Sequence, residues 1–125
     1  MLIPDFFNDF DFNEYNGPRV NVSEAESVFE IEFAIPGVTK EEVSISLPER
    51  DVLEVTIKGK QKYKSTERKW LRREFSYGKI YKQQFNIPEN IDLNRIKAVV
   101  ENGILTITLP KQKLTENKPR TIKVQ

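Results

Sequence analysis

Ala98-Val-Val-Glu-Asn-Gly-Ile-Leu-Thr-Ile-Thr-Leu-Pro-Lys111 is the stretch that decides the fold. Apolar side chains alternate with other residues on both sides of Asn102-Gly103. Ile96, Ala98 and Val100 precede the pair, and Leu105, Ile107 and Leu109 follow it. A period of two is the strand signal. Asn and Gly best tolerate the positive φ that both centres of a two-residue hairpin turn require. The stretch therefore reads as a β-hairpin with Glu101 opposite Ile104. Pro110 ends its second strand.

Working toward the N-terminus, the same period recurs. Tyr81, Phe85 and Ile87 share a parity, with Gln83 between them. Leu53, Val55 and Ile57 alternate up to Gly59, and Val43, Ile45 and Leu47 alternate up to Pro48. Phe29, Ile31 and Phe33 alternate up to Pro36-Gly37, and Val20 and Val22 begin the series. Seven or more short strands separated by turn signals predict an all-β, antiparallel sandwich. Thr39–Glu42 and Asn90–Arg95 each fit a single helical turn, and no long helix fits anywhere. The change of parity between Ile80 and Tyr81 predicts a bulge there.

Three segments do not belong to this pattern. Residues 1–17 form an arm in which Phe6, Phe7, Phe10 and Phe12 are interleaved with Asp5, Asp9, Asp11 and Glu14. Its rings fit either a clasp on the domain or an adhesive surface for other chains. Residues 58–73 hold eight bases and one acid, too long and too charged for a tight hairpin loop. Trp70-Leu71 near the end of that loop predicts docking on an apolar surface. The tail Arg120-Thr-Ile-Lys-Val-Gln125 sets Ile122 and Val124 two apart at a polar terminus. It fits either an apolar plug for another copy or an added strand on its own domain.

Composition narrows the chemistry. A chain of 125 residues supports one domain with short tails and a sizeable core. Neither Cys nor His is present, which removes the thiol and imidazole nucleophile pairs and the usual zinc spacings. No acid pair stands out as a catalytic dyad, so no enzyme, no cofactor and no metal is expected. No apolar run approaches the roughly 18 residues of a membrane span. The first residues lack the basic and apolar regions of a secretory signal, so a cytoplasmic location is the default. Net charge is only +1, but residues 1–54 hold thirteen acids and three bases, whereas residues 55–82 hold ten bases and two acids. Such asymmetry fits a charged partner, and equally one part of the molecule meeting another part, or another copy.

At these residues the chain resembles the small heat shock proteins, bacterial type, with an α-crystallin domain over residues 18–111. The match rests on Ala98, Asn102, Gly103, Ile104 and Leu105 in the hairpin, followed by Leu109-Pro110. Ala34-Ile-Pro-Gly-Val38, Arg72-Arg73-Glu74-Phe75, Phe85-Asn-Ile-Pro88 and Ile122-Lys123-Val124 add to it in the expected order. The resemblance implies an immunoglobulin-like sandwich with a dimerisation loop at 58–77 and an extension at 112–125. It implies an ATP-independent holdase that binds partly unfolded client proteins under stress and passes them to ATP-dependent refolding chaperones. The dimer it implies pairs a strand near Trp70, Leu71, Arg72, Arg73 and Glu74 with an acceptor near Arg19, Val20 and Val22 of a second copy. The implied higher oligomer seats Ile122 and Val124 in a groove between Val43, Ile45 and Leu47 and Ile96, Ala98 and Val100. Clients are implied to meet Phe6, Phe7, Phe10 and Phe12. Two rival readings stand beside this one. One is a monomeric co-chaperone-type sandwich. The other is a nucleic-acid binder using Lys58–Arg73 with Tyr63 and Trp70, which the acidic first half of the chain opposes.

Overall fold

The computed structural model describes residues 17–63, 67–113 and 121–125. Seven antiparallel strands form two sheets. They are β1 (Val20–Glu24), β2 (Val28–Ala34), β3 (Val43–Glu49), β4 (Val52–Lys58), β5 (Ile80–Asn86), β6 (Lys97–Glu101) and β7 (Ile104–Pro110). One sheet has the order β1-β2-β7-β6 and the other β3-β4-β5. Short 3₁₀ turns at Lys40–Glu42 and Leu93–Arg95 occupy the two segments whose composition fits a single helical turn.

The alternation read from the sequence is what packs the sheets. Phe29, Ile31 and Phe33 of β2, Leu53, Val55 and Ile57 of β4, and Leu105, Ile107 and Leu109 of β7 are all buried. They form a single apolar cluster with Ile35, Phe85, Ile87 and Ile91. Phe33 of one sheet meets Phe85 of the other edge to face, with ring centroids 6.0 Å apart. That is the geometry aromatic quadrupoles prefer. The intervening residues of each strand face outward, so each strand contributes one side to the core and one to solvent.

The β6–β7 hairpin has the expected register, with Glu101 opposite Ile104 and Val100 opposite Leu105. Asn102 has φ 53° and Gly103 φ 78°, both in the left-handed region that this turn demands. The bulge lies elsewhere than the parity change predicts. Pairing from Val52↔Asn86 to Lys58↔Ile80 is unbroken, and Ile80 simply points outward. The register shift falls in β3, between Ser46 and Glu49, where Leu47 and Pro48 stand against the single residue Leu53. Proline lacks the N–H that a ladder needs and is tolerated in strands mainly at edges and bulges. Thus Pro48 does not end β3; it bulges it, and the strand continues to Glu49.

Candidate functional site

Each sheet is closed in its middle and open at its edges. β7 and β4 lie between neighbours, and their inward side chains are fully covered. Directly paired residues share a face, so the inner face of each edge strand follows from the register. On β3, Val43 and Ile45 sit opposite the buried Ile57 and Val55 yet remain only half-buried. Leu47 beyond them is exposed. On β6, Ala98 sits opposite the buried Ile107 and is itself exposed, and Val100 and the preceding Ile96 are half-buried. On β1, Val20 and Val22 oppose Phe33 and Ile31 and are half-buried. The apolar face of the sandwich therefore runs out to incompletely covered borders, each with one free side of backbone donors and acceptors.

The 59–79 connection between β4 and β5 forms no ladder among its described residues. Its neck is closed by the Gly59 N–H donating to the Lys79 carbonyl at 3.2 Å. Two contacts tie it to the β2–β3 connection. The Lys60 N–H donates to Glu42 Oε2 at 2.9 Å. The Tyr77 ring lies over Gly37, where a methyl group would come within 2.7 Å of Cε1, so only glycine admits that approach. Glu42 also accepts from the Thr39 N–H at 3.2 Å and from Thr39 Oγ1 at 2.9 Å. These hydrogen bonds, those from Thr39 foremost, hold the Glu42 carboxyl below the usual carboxylate range.

Within the loop, Tyr63 meets Trp70 and Tyr77 edge to face, and Phe75 meets Tyr77, at centroid distances of 5.9, 6.3 and 5.9 Å. Cations lie over these rings. The Arg68 guanidinium is 3.9 Å from the Tyr63 centroid and that of Arg73 is 4.6 Å from Trp70. Lys62 Nζ is 5.6 Å from both Tyr63 and Tyr77. A recess of about 430 Å³ at the loop root is lined by residues that include Gln61, Arg73, Phe75, Tyr77 and Lys79. The docking expected of Trp70-Leu71 does not take place on the chain's own domain. Trp70 is 41% exposed, Leu71 91% and Phe75 65%. Arg72 and Glu74 face each other at 3.9 Å, both exposed, in a pair worth little.

In the tail, residues 121–125 form no strand, and Ile122 and Val124 are 79% and 92% exposed. They do not extend either sheet of their own domain. Phe6, Phe7, Phe10 and Phe12 lie outside the described residues. Arg19 is exposed, and its carbonyl accepts from the Ala34 N–H at 2.9 Å. The acidic strands are partly engaged already, since Glu24 pairs with Lys111 at 2.7 Å. No helix among the described residues is long and apolar enough to cross a membrane, and none of their acids cluster as metal ligands.

Two contacts escaped the sequence reading. The Thr39-x-x-Glu42 spacing is a helix-start signal that was available there, but nothing local announces that Glu42 also receives Lys60. The Gly37–Tyr77 approach joins residues forty apart and carries no sequence signal beyond the glycine.

Comparison with known proteins gives one answer. A sequence profile of the Hsp20/alpha crystallin family matches residues 21–125. The chain is 39% identical over 107 residues to a 22.0 kDa heat shock protein of Arabidopsis thaliana, with 85% of this chain and 54% of that protein covered. It is 34% identical to small heat shock protein C2 of Rickettsia felis, with 99% and 82% covered. The chain thus spans about half the length of the plant relative and most of the bacterial one. Among solved structures, a small heat-shock protein of Xylella fastidiosa, described as having a distinct high order structure, superposes with TM-score 0.70 at 27% identity, covering 86% of this chain and 95% of that one. Heat shock protein 16.0 of Schizosaccharomyces pombe superposes with TM-score 0.68 at 27% identity, covering 99% and 98%.

Proposed function

The chain belongs to the Hsp20/alpha crystallin family, and from that premise we propose that it is an ATP-independent holdase working in the cytoplasm as dimers assembled into larger, exchanging oligomers. Family membership itself is consistent with a chaperone role. The finer reading rests chiefly on one observation. Ile122 and Val124 stand free of their own domain, while the inner faces of β3 and β6 end in uncovered apolar borders.

Matching the two accounts for both. Ile122 and Val124 of one subunit enter the groove of Val43, Ile45, Leu47, Ile96, Ala98 and Val100 on another. Burying each side chain gains roughly 1.5–3 kcal/mol. Ordering a free terminus offsets part of this, leaving a contact of about millimolar strength. Several such contacts in one closed particle act together and still allow subunits to leave. The dimer forms when Trp70–Glu74 pairs with Arg19–Val22 of a second copy, which covers the exposed Leu71 and the free side of β1. Clients are held by apolar contact with the arm rings Phe6, Phe7, Phe10 and Phe12. No transition state is stabilised, so no catalytic residue is assigned. ATP-dependent chaperones take over the held clients.

Light-scattering mass at rising temperature, with and without a heat-denaturing client, tests the reading. The expected result is a large particle that exchanges subunits and keeps the client soluble without ATP. A compact monomer that leaves the client to precipitate overturns it and favours the co-chaperone-type module.

A further inference from the structure

The 59–79 loop is fastened to its own domain on both of its limbs, and one fastening is a single carboxylate. We propose that Glu42 is a positioning residue for the dimer: it fixes the direction in which the loop leaves the sandwich, and so presents Trp70–Glu74 to β1 of a second copy. The inference rests on the proposed dimer for what the loop is presented to. The fastening itself rests on the geometry of the loop root.

The sheet register puts Glu42 where it is needed. Val43 of β3 pairs with Ile57 of β4. Glu42 therefore stands just past that pair, where β4 ends at Lys58 and runs out into the loop. Its carboxylate uses both oxygens. Oε1 accepts from the N–H and the hydroxyl of Thr39. Oε2 accepts from the Lys60 N–H at 2.9 Å. One oxygen is thus tied to the β2–β3 connection and the other to the outgoing limb of the loop. Hydrogen bonds to an ionised acceptor are the stronger kind. This one ends on a main-chain N–H, so it fixes the path of the chain and not merely a side chain.

The second fastening is on the returning limb, where Tyr77 lies over Gly37. Between the limbs, the Gly59 N–H donates to the Lys79 carbonyl and Gly78 lies against Gln61. A loop held at one point pivots about it. A loop held on both limbs by one short connection, Gly37 to Glu42, has its direction set. The loop is also braced inside, because Trp70 packs on Tyr63, Tyr63 on Tyr77 and Phe75 on Tyr77. A rotation at the root is therefore carried to the tip. Trp70 lies ten residues beyond Lys60, up to about 35 Å of extended chain, so a small rotation moves it far. The tip has no other guide, since Trp70, Leu71 and Phe75 stand exposed off their own domain. Directing the loop before association removes part of the ordering cost that a swinging loop would bring to the dimer.

Two substitutions separate reach from charge. Glu42→Gln keeps the length, but an amide accepts at one oxygen only and sets an NH₂ against the other donor. Glu42→Asp keeps the charge and is one methylene too short to bridge Thr39 and Lys60. Each is made in the full chain carrying Ile122→Ala and Val124→Ala, so that dimer association is read alone. The measurements are the dimer dissociation constant by analytical ultracentrifugation, amide hydrogen exchange at Lys60 by NMR, and the urea midpoint. Both variants should raise the dissociation constant and the Lys60 exchange rate about tenfold, the size expected for one lost hydrogen bond to a charged group. A Glu42 that only stabilises the domain would lower the urea midpoint and leave the dissociation constant unchanged, which overturns the positioning role while the dimer stands. Unaltered dimer affinity in Glu42→Asp, with weakened affinity in Glu42→Gln, also overturns it, because charge and not reach would then direct the loop. A parent chain that stays monomeric at every concentration removes the dimer reading instead. Faster Lys60 exchange in the variants then upholds the fastening of the loop, and unchanged exchange overturns that as well.

Discussion

At the scale of single residues, two positions carry distinct physical loads. Leu105 is fully buried and pairs with Phe33 in the middle of the sandwich. Truncating it removes transfer energy and leaves a cavity that neighbouring strands cannot collapse to fill. Leu105→Ala should lower unfolding stability by about 2–5 kcal/mol, read as a lower urea midpoint with unchanged m-value. Glu42 acts differently, because it lies outside the core and works through hydrogen bonds that require its ionised form. Its folded-state carboxyl loses the proton more readily than in the unfolded chain. The stability it contributes is therefore complete above the ordinary glutamate value of about 4.3. It is lost as pH falls through and below that value. Glu54 behaves alike, held low first by the Gln84 amide at 3.0 Å and then by Lys82. Glu42→Gln should flatten the acid side of the stability profile, seen as a smaller fall in melting temperature between pH 7 and pH 3.

At the scale of elements, the edge strands and the tail are the parts the proposed assembly uses. β3 is bent by a bulge at Leu47-Pro48 and is left unpaired on its outer side. Proline and a bulge on an edge discourage indiscriminate strand addition, while the apolar inner face stays open to a partner that brings the right side chains. In the proposed assembly the tail with Ile122 and Val124 is such a partner. An Ile122→Ala, Val124→Ala double variant should keep the fold and its melting temperature and elute as dimers on gel filtration. A particle of undiminished size would rule out the tail as the link. The loop makes a second case. Two substitutions, Arg72→Glu and Arg73→Glu, should weaken dimer association at low salt by analytical ultracentrifugation, and the difference from the unaltered chain should shrink as salt rises.

At the scale of the whole molecule, the proposed function divides labour between the sandwich and the segments attached to it. Among the described residues the core cluster holds thirteen buried hydrophobic side chains, and no buried residue is polar or charged. Deleting residues 1–15 should leave the domain folded by far-UV circular dichroism and abolish protection of a heat-denaturing client in a turbidity assay. Retained protection would move the client surface to the loop or to the open borders of the sandwich.

The seven strands, the Asn102-Gly103 turn, the two helical turns and the inward residues of the strands were legible in the sequence, whereas the buried Ile35 and Ile91 lie outside the alternation. Each legible feature depends on local periodicity or turn chemistry, which the chain states residue by residue. The bulge was misplaced because a parity change at an outward-facing apolar residue, Ile80, looks the same as an inserted one. Only pairing with β4 separates the two cases. The incomplete cover of Val43, Ile45 and Val100 and the exposure of Ala98 were likewise beyond the alternation, which marks the inner face but not whether a second layer reaches it. Glu42 on Lys60 and Tyr77 on Gly37 were decided by tertiary structure alone: pairing of β3 with β4 brings Glu42 to the loop that leaves β4, and Gly37 and Tyr77 lie forty residues apart.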